Sequence, residues 1–469
     1  STPSGHVLGL GLDRDPPFRF NGDARDAMQD VERLGGAAFA AHPFSTRPDL
    51  RFTAWDTPGP WGIELLNGDS EWRRAGPRVL LSVLLYRLNP GYALLRGTSP
   101  PDEALSRWDA LLARRDVVGL AGADAHSRLP LTKKRALRFP SYEALFSLAR
   151  VHLLLDRPLG ADAAGDRAAV VEALHRGRFY VGLDGLASAN DLAFTVEAGG
   201  RRATMGESIE PAAGGRIRAG GRMPAGTHVV LLRDGRPVAD SVGALDVALG
   251  GPGVYRVEAR VPGWSTPWAI TNPVYVFDAA TRAARLEAAA WPAPPAVREA
   301  QALVSLPGSA AFTPEFDPTS SIRPPGPPPD APAGAAAPLG LAFHLGAPGP
   351  AQPFTWCALV NRQARDLSAW TGLRFRVRGD GEYGLWVQVR DPNPASADEG
   401  LEWWLAAART TTQWSEVVLP FSRFRTINPK SDGRLDTAQA RAIVFVLDPA
   451  SVKAGTSGSI WIDDVGVYR

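Results

Sequence analysis

Three histidines and one aspartate occupy positions at which metal-binding residues are commonly found. His6 opens a short apolar run, and His42 directly follows the next one. Asp124 and His126 follow a third apolar run. Imidazole and carboxylate groups supply the nitrogen and oxygen donors that divalent transition metals bind near neutral pH. The pattern therefore predicts a metal centre built from His6, His42, Asp124 and His126.

A structural role is the alternative for each of these residues taken singly. A lone histidine after a strand, such as His42, is often a hydrogen-bonded structural residue. The pair Asp124 and His126 carries more information, because alternate side chains of an extended backbone point to the same face. Both can then bind adjacent ions. Together, the two patterns favour metal binding over a structural role.

The elements that must position these residues follow an α/β pattern. From residue 1 to about residue 180, short apolar runs suited to buried strands alternate with amphipathic helical segments. This alternation predicts an α/β barrel or an open wound sheet. Residues just past the carboxyl ends of parallel strands meet at one edge in such folds, and ligands bind there. The predicted strands are 7–12, 37–41, 62–66 and 117–121, and the predicted helices are 23–34, 77–88, 102–115, 141–151 and 166–176.

Composition excludes several classes of function. The chain has 469 residues and a formal net charge of +2, with 51 basic and 49 acidic residues, so we expect no nucleic-acid partner. Its single cysteine, Cys357, permits neither an internal disulfide nor a cysteine-based zinc cluster. No apolar run approaches the roughly 20 residues that cross a bilayer, so we expect no transmembrane segment. The sequence does not fix the oligomeric state.

The rest of the chain reads as β structure. From about residue 190 to 277, alternating strands separated by glycine-rich turns predict an antiparallel sandwich, with a hairpin turn at Asp234-Gly235. An alanine-rich helix follows, and residues 323–338 are a Pro/Ala/Gly-rich loop. Residues 339–469 again read as strands, which predicts a second sandwich or jelly roll.

Three strings in the first region follow one another in the order seen in one enzyme family. They are Ala41-His42-Pro43, Gly62-Ile63-Glu64-Leu65-Leu66-Asn67 and Gly122-Ala123-Asp124-Ala125-His126-Ser127. They resemble three successive motifs of the PHP (polymerase and histidinol phosphatase) family. Residues 106–112, 173–181 and 267–276 are similar to the branch that includes the carbamate hydrolase acting on carbaryl, so the likeness covers about residues 1–277.

The resemblance implies a distorted (β/α)7 barrel that holds up to three zinc, manganese or iron ions. His6 and His42 would bind one ion, Asp124 a second and His126 a third, with Glu64 supporting the ligands from a second shell. Family members begin with a His-x-His pair, an Asp/His motif and a bridging glutamate, and none of these precedes His6 here. We therefore expect an N-terminally incomplete barrel that holds only part of the metal site.

The last region resembles galactose-binding-type jelly rolls related to family-eleven carbohydrate-binding modules. The likeness rests on residues 367–381, 414–421 and 460–465. Trp386, Gln388 and Arg390 alternate along one predicted strand and so share a face, with Trp403 as a neighbour. These four residues are candidate glycan ligands, although tryptophans that simply pack the sandwich are the alternative. By the same resemblance, Asp463 or Asp464 would hold a structural calcium ion.

These observations predict a multidomain, exported bacterial protein that is periplasmic, on the cell surface or secreted. Its signal peptide is not visible because the sequence begins without methionine. The predicted function is metal-dependent hydrolysis of a phosphoester or carbamate/amide-like bond in a small-molecule substrate, with a glycan-binding or docking module. The alternative is a non-catalytic carbohydrate- or partner-binding surface protein with a degenerate barrel. The expected domains are 1–188 (PHP-type), 189–278 (Ig-like sandwich), 279–301 (helical linker) and 302–469 (jelly roll).

Overall fold

The computed structural model describes residues 2–74, 84–127, 129–130, 135–303, 311–331, 338–396 and 400–469. The chain divides into two compact units. The first, called here the N-terminal unit, comprises Ser4–Asp13 and Val31–Pro292. The second, the C-terminal unit, comprises Ser1–Pro3, Arg14–Asp30 and Ala293–Arg469.

One four-stranded sheet lies in the first part of the N-terminal unit. Its strands, in spatial order, are β1 (His6–Leu10), β2 (Ala37–Ala41), β3 (Trp61–Asn67) and β4 (Gly119–Gly122). The strands β2, β3 and β4 run parallel, whereas β1 pairs antiparallel to β2. Every residue of β3 is buried, as expected for a central strand of a covered sheet.

Helices alternate with these strands as the sequence predicts. Apolar residues at helical spacing in the first helix, Ala27, Met28 and Val31, are all buried. The segment predicted as a helix over 77–88 lies mostly outside the described residues. The helices are α1 (Ala24–Arg33), α2 (Gly68–Arg74), α3 (Pro90–Arg96), α4 (Asp102–Leu112), α5 (Tyr142–Leu148), α6 (Ala163–Arg176) and α7 (Ala279–Ala289).

The described residues do not close a seven-stranded barrel. After β4 come the short hairpin β5 (Leu129–Pro130) and β6 (Ala136–Leu137), then β7 (Arg150–Leu153) and β8 (Phe179–Gly182). The strands β7 and β8 pair antiparallel to each other and belong to a different, eight-stranded sheet. The α/β prediction is therefore confirmed for β2, β3 and β4, and the barrel geometry is not shown.

A β-sandwich completes the N-terminal unit. One sheet has the order β10-β9-β12-β15. The other has the order β11-β18-β16-β17-β8-β7, and in it β13 pairs with β16 and β14 pairs with β13. The Asp234-Gly235 hairpin turn is confirmed, since both residues have positive φ. The strands are β9 (Ala193–Ala198), β10 (Arg201–Thr204), β11 (Ser208–Ile209), β12 (Arg216–Gly220), β13 (His228–Arg233), β14 (Arg236–Val242), β15 (Ala244–Ala248), β16 (Gly253–Arg260), β17 (Ala269–Thr271) and β18 (Val274–Val276).

Two antiparallel sheets also form the C-terminal unit. Their strands are β19 (Ala300–Ala302), β20 (Thr313–Phe316), β21 (Ser321–Arg323), β22 (Leu339–His344), β23 (Cys357–Asn361), β24 (Gly372–Gly379), β25 (Gly384–Pro392), β26 (Leu401–Arg409), β27 (Ser415–Pro420), β28 (Ala442–Leu447) and β29 (Ser457–Tyr468). One sheet has the order β21-β22-β29-β24-β27, with β19 paired to β29. The other has the order β20-β23-β28-β25-β26. Buried Phe375, Val387 and Phe445 belong to the core that both sheets share, so the predicted second sandwich is confirmed.

No helix within the described ranges is long and apolar enough to span a membrane.

We expect that Asn272→Ala destabilises the N-terminal unit by about 2–4 kcal/mol. The Asn272 side chain is buried, accepts the Gly119 N–H at 2.9 Å, and donates to the carbonyl oxygens of Gly119 and Phe179 at 3.1 and 3.2 Å. Alanine would remove the side-chain partner of the Gly119 N–H and carbonyl oxygen on β4, and would leave the Phe179 carbonyl oxygen on β8 with the N–H of residue 272. Urea denaturation measures the change, with surface Asp240→Asn as the control. Equal unfolding curves for the two variants would contradict the assignment.

Candidate functional site

Strand ends bring the four predicted metal ligands to one edge of the four-stranded sheet. His42 directly follows β2, and Asp124 and His126 follow β4. Because β2 and β4 run in the same direction, their carboxyl ends lie at the same edge. His6 reaches this edge from the opposite direction, since β1 is antiparallel and pairs His6 with Ala41 at the end of β2.

The two histidines are in direct contact. His6 Nδ1 lies 3.0 Å from His42 Nε2, and the rings meet edge to face at 4.8 Å between centroids. Burial lowers the pKa of His6 and nearby His42 lowers it further, while the Asp124 carboxylate acts in the opposite direction. A lowered pKa favours the neutral imidazole, which is the form that binds a metal.

The 3.0 Å separation of His6 Nδ1 and His42 Nε2 is that of a hydrogen bond between the two rings. Two imidazole nitrogens bound to one tetrahedral zinc ion at about 2.0–2.1 Å lie about 3.3 Å apart, so a small shift of the rings would let one ion bind both. His42 is only 8% exposed, and its Nδ1 is buried with no hydrogen-bond partner among the described residues. A buried nitrogen without a partner is costly, but this is the other ring nitrogen from Nε2, which faces His6.

Backbone strain is concentrated at the same edge. His42 and Asp124 have φ of 32° and 42°, and they are two of only four non-glycine residues with positive φ in the described part of the chain. Such backbone geometry costs about 1–3 kcal/mol and persists only where its surroundings impose it. At His42 the constraint is visible, because its N–H donates to Glu64 Oε2 at 2.5 Å.

Glu64 lies inside the sheet and contacts the backbone of His42. Its Oε2 also accepts the Asn67 Nδ2–H at 3.0 Å. Burial raises the pKa of Glu64 to about 7, although the hydrogen bonds from His42 and Asn67 act to lower it. A Cβ at Gly122 on β4 would lie 2.1 Å from Glu64 Oε1, so a larger residue there would displace the Glu64 carboxylate. The carboxylate thus packs between the ends of β2 and β4.

A second group at this edge includes a residue that sequence reasoning missed. Asp69, Asp124 and His126 each offer one ligand atom, and these atoms lie within 4.8 Å of one another. Asp69 comes two residues after β3, so the same strand-end reasoning could have identified it. Its Oδ2 also accepts the Arg73 Nε–H at 2.6 Å. The side chain of His126 is 59% exposed and that of Asp124 is 29% exposed.

The predicted ligands therefore form two neighbouring groups. One is the buried pair His6 and His42, and the other is the more exposed group of Asp69, Asp124 and His126. Asp124 links them, because its charge acts on the pKa of both His6 and Glu64. The arrangement offers nitrogen donors at one position and mainly oxygen donors at the other.

Two histidines outside this edge make structural contacts with aspartates. His152 Nε2 lies 3.0 Å from Asp184 Oδ1, and His228 Nδ1 lies 3.0 Å from Asp240 Oδ1.

The predicted glycan-binding residues lie together on the outer face of the five-stranded sheet in the C-terminal unit. On β25, Val387 and Val389 join the core, so Trp386, Gln388 and Arg390 point to the opposite face. Arg390 pairs in register with Trp403 on β26. Its guanidinium lies 4.3 Å from the Trp403 ring centroid and donates to Gln388 Oε1 at 3.0 and 3.1 Å.

Small apolar side chains form the floor beside this row. Trp386 packs against a cluster on the same face and donates its indole N–H to Asp448 at 3.2 Å. Trp403 is 37% exposed, whereas the adjacent Trp404 is buried in the core, so the two indoles point to opposite faces of the sheet. The floor residues are Ala358, Val360, Ala442, Val444 and Val446.

The predicted calcium ligands Asp463 and Asp464 have arginine partners. Arg374 Nη2 donates to Asp464 Oδ2 at 2.5 Å, and Arg376 Nη1 lies 3.9 Å from Asp463 Oδ2. Each carboxylate is thus neutralised by a guanidinium, which leaves less charge for a calcium ion at this position.

Comparison with known proteins identifies no family. No family model and no curated protein matches the chain. Among solved structures, a family 11 carbohydrate-binding module from Clostridium thermocellum in complex with a β-1,3-1,4-mixed-linked tetrasaccharide is similar at 14% identity, over 36% of this chain and 95% of that chain, with a TM-score of 0.29. A family 30 carbohydrate-binding module of the C. thermocellum cellulosomal cellulase Cel9D-Cel44B is similar at 15% identity, over 36% and 90%, with a TM-score of 0.23. These scores are too low to support a fold or a function, and membership of the PHP family stays a prediction.

We expect Glu64 to make the metal-free protein less stable as pH rises from about 4.5 to 7. The folded protein keeps the Glu64 proton up to about pH 7, whereas the unfolded chain releases it near 4.5. Folding therefore retains a proton in this interval, and the free energy of unfolding falls by up to about 3 kcal/mol as pH rises, then levels off.

Urea denaturation across this pH range, in the presence of a chelator, measures the stability of the unaltered protein and of the Glu64→Gln variant. The variant cannot titrate at this position, so its stability should decline less between pH 4.5 and 7. Parallel stability profiles for the two proteins would show that Glu64 is not the group responsible.

Proposed function

We propose that this chain binds carbohydrate through the outer face of the five-stranded sheet in its C-terminal unit. The observation that carries the proposal is the row of Trp386, Gln388, Arg390 and Trp403 on one face. Aromatic rings offer flat apolar surfaces to the C–H face of a sugar, and the neighbouring amide and guanidinium groups can donate to its hydroxyls. The apolar floor residues beside the row are themselves buried, and Trp386 packs against them.

The side chains on this face are already held in place in the free protein, and this also supports the proposal. Gln388 is buried and holds the Arg390 guanidinium through two hydrogen bonds, and this places the guanidinium over the Trp403 ring. Side chains already fixed in the free protein lose less conformational entropy when a ligand binds. The competing explanation, that the tryptophans only stabilise the fold, predicts no loss of sugar binding without unfolding.

Replacing either tryptophan on this face should weaken binding to soluble polysaccharides by about tenfold or more, as expected for the loss of a stacking aromatic residue. Trp386→Ala and Trp403→Ala are the test variants, and affinity gel electrophoresis on a panel of β-glucans, xylans and mannans is the measurement. A matched control is Trp414→Ala, because Trp414 carries Arg376 over its ring at 5.2 Å on the outer face of the other sheet. An equal loss of binding in all three variants would contradict the proposal. So would a failure of the unaltered protein to bind any polysaccharide of the panel.

A second candidate function, metal-dependent hydrolysis, is favoured by the contact between His6 and His42. His6 Nδ1 and His42 Nε2 lie 3.0 Å apart. His6 and His42 would hold one ion, and Asp69, Asp124 and His126 would hold another. When bound, zinc, manganese or iron would supply a Lewis acid that lowers the pKa of bound water. A phosphoester or a carbamate/amide-like bond is the proposed target, and an exported location belongs to the same proposal.

The chain's own residues prepare this edge for such ions. Glu64 fixes the backbone of His42, and the lowered pKa of His6 keeps its ring neutral. Asp124 brings negative charge close to both groups. A non-catalytic protein with a degenerate site is the alternative, and it predicts metal binding without turnover or no metal binding at all.

Metal analysis of the purified protein separates these possibilities. His6→Ala, His42→Ala and Asp124→Ala should each lower the bound metal by at least about one equivalent, because each removes a ligand from a small set. Asp69→Ala should lower it at the second position. His228→Ala, which alters an exposed histidine in the sandwich, is the control and should retain the full amount.

Activity is then measured on phosphoester and carbamate ester substrates with zinc, manganese and iron. Unchanged metal content in His6→Ala, His42→Ala and Asp124→Ala would contradict the assignment of these residues as metal ligands. Normal metal content without turnover in the unaltered chain would favour the non-catalytic alternative.

A further inference from the structure

Two carboxylates are buried side by side in the sandwich of the C-terminal unit. Asp391 on β25 and Glu402 on β26 are directly opposite each other in the strand register. They are 3% and 2% exposed. Asp391 follows the alternation of the core residues Val387 and Val389, and Glu402 follows that of Trp404. Both side chains therefore leave the sheet on its inner face, where opposed side chains are only about 5 Å apart at Cβ.

Neither carboxylate has a cationic partner within the described ranges, where their contacts are hydrogen bonds. Asp391 Oδ1 accepts the Trp404 indole N–H at 2.9 Å, and Asp391 Oδ2 accepts the Asp436 N–H at 2.7 Å. Glu402 Oε2 accepts the Asn393 Nδ2–H at 2.8 Å. Glu402 Oε1 is buried and accepts no hydrogen bond from any described residue.

This arrangement leaves negative charge to be neutralised. Placing two ionised carboxylates together in a protein interior is costly unless a counter-charge is present. A shared proton is one solution, but three of the four oxygens already accept N–H donors, and such donors favour the ionised form. A bound cation would supply the counter-charge and would bind Glu402 Oε1, which accepts no hydrogen bond from a described residue.

We propose that Asp391 and Glu402 bind a divalent cation inside the C-terminal sandwich, with calcium as the best chemical match. The donors are oxygen atoms only, which hard cations such as calcium prefer over transition metals. Glu402 Oε1 supplies the oxygen that lacks a partner. Backbone carbonyl oxygens and water would complete the coordination shell of about six to eight oxygens that calcium takes.

The cation would tie β25 to the loop that precedes β28. Asp391 already binds the Asp436 N–H in that loop, and Glu402 binds Asn393, whose Nδ2 lies 3.3 Å from the Lys430 carbonyl oxygen. Calcium at this point would therefore stabilise the fold of the C-terminal unit. This role is independent of sugar binding and of the metal site in the N-terminal unit.

Terbium luminescence tests the site directly. Terbium replaces calcium at oxygen sites and emits when a nearby indole is excited, and the Trp404 indole is hydrogen-bonded to Asp391. We expect terbium emission on tryptophan excitation that calcium displaces. Glu402→Gln should reduce this emission about tenfold or more. Glu416→Gln, which alters an exposed carboxylate paired with Arg374, should leave it unchanged.

Two further measurements keep the result unambiguous. Asp124→Asn removes a ligand of the other candidate metal group and should not abolish the calcium-displaceable emission. In the unaltered chain, saturating calcium should raise the melting temperature of the C-terminal unit by about 5 °C or more relative to a chelator. Asp391→Asn, a second variant in case Glu402→Gln does not fold, should lose this shift.

A melting temperature of the unaltered chain that calcium does not change would overturn the proposal. So would calcium-displaceable terbium emission that persists in a folded Glu402→Gln protein. Stabilisation by acid together with no response to calcium would identify a shared proton instead of a cation.

Discussion

One buried carboxylate, that of Glu64, joins the strand ends from which the candidate metal site is built. It accepts the N–H of His42 after β2 and packs against Gly122 at the end of β4, so it fixes the backbone on both sides. The strained φ of His42 persists because this hydrogen bond holds it. Without Glu64, the imidazoles and Asp124 would share an edge of the sheet but would have no fixed positions there.

The five-stranded sheet of the C-terminal unit shows how one strand serves two purposes. Alternation sends Val387, Val389 and Asp391 into the core and leaves Trp386 and Arg390 on the outer face. The inner face then combines apolar packing with a buried carboxylate pair, whereas the outer face combines aromatic and polar groups. The two faces can therefore be altered separately, by substitutions one residue apart.

Local patterns predicted much of this structure. The strands β2, β3 and β4, the helix α1 and the opposite directions of Trp403 and Trp404 follow from periodicity, which depends only on backbone geometry. The proximity of His6 and His42 was expected from the family resemblance, which assigns both to one ion, and not from strand ends, because His6 opens a strand whereas His42 follows one. Asp69 was missed because no string of residues marks it, although its place after β3 was visible.

The sequence by itself determined which residues end strands, which faces they occupy and which chemical groups are available. The tertiary structure alone decided the direction of pairing, since β1 and β2 are antiparallel and β7 and β8 leave the α/β sheet. It also decided how charges are matched: Arg374 neutralises Asp464 from 90 residues away, whereas Asp391 faces Glu402. Periodicity is a local property of the backbone, but strand pairing and charge neutralisation depend on residues that only the folded chain brings together.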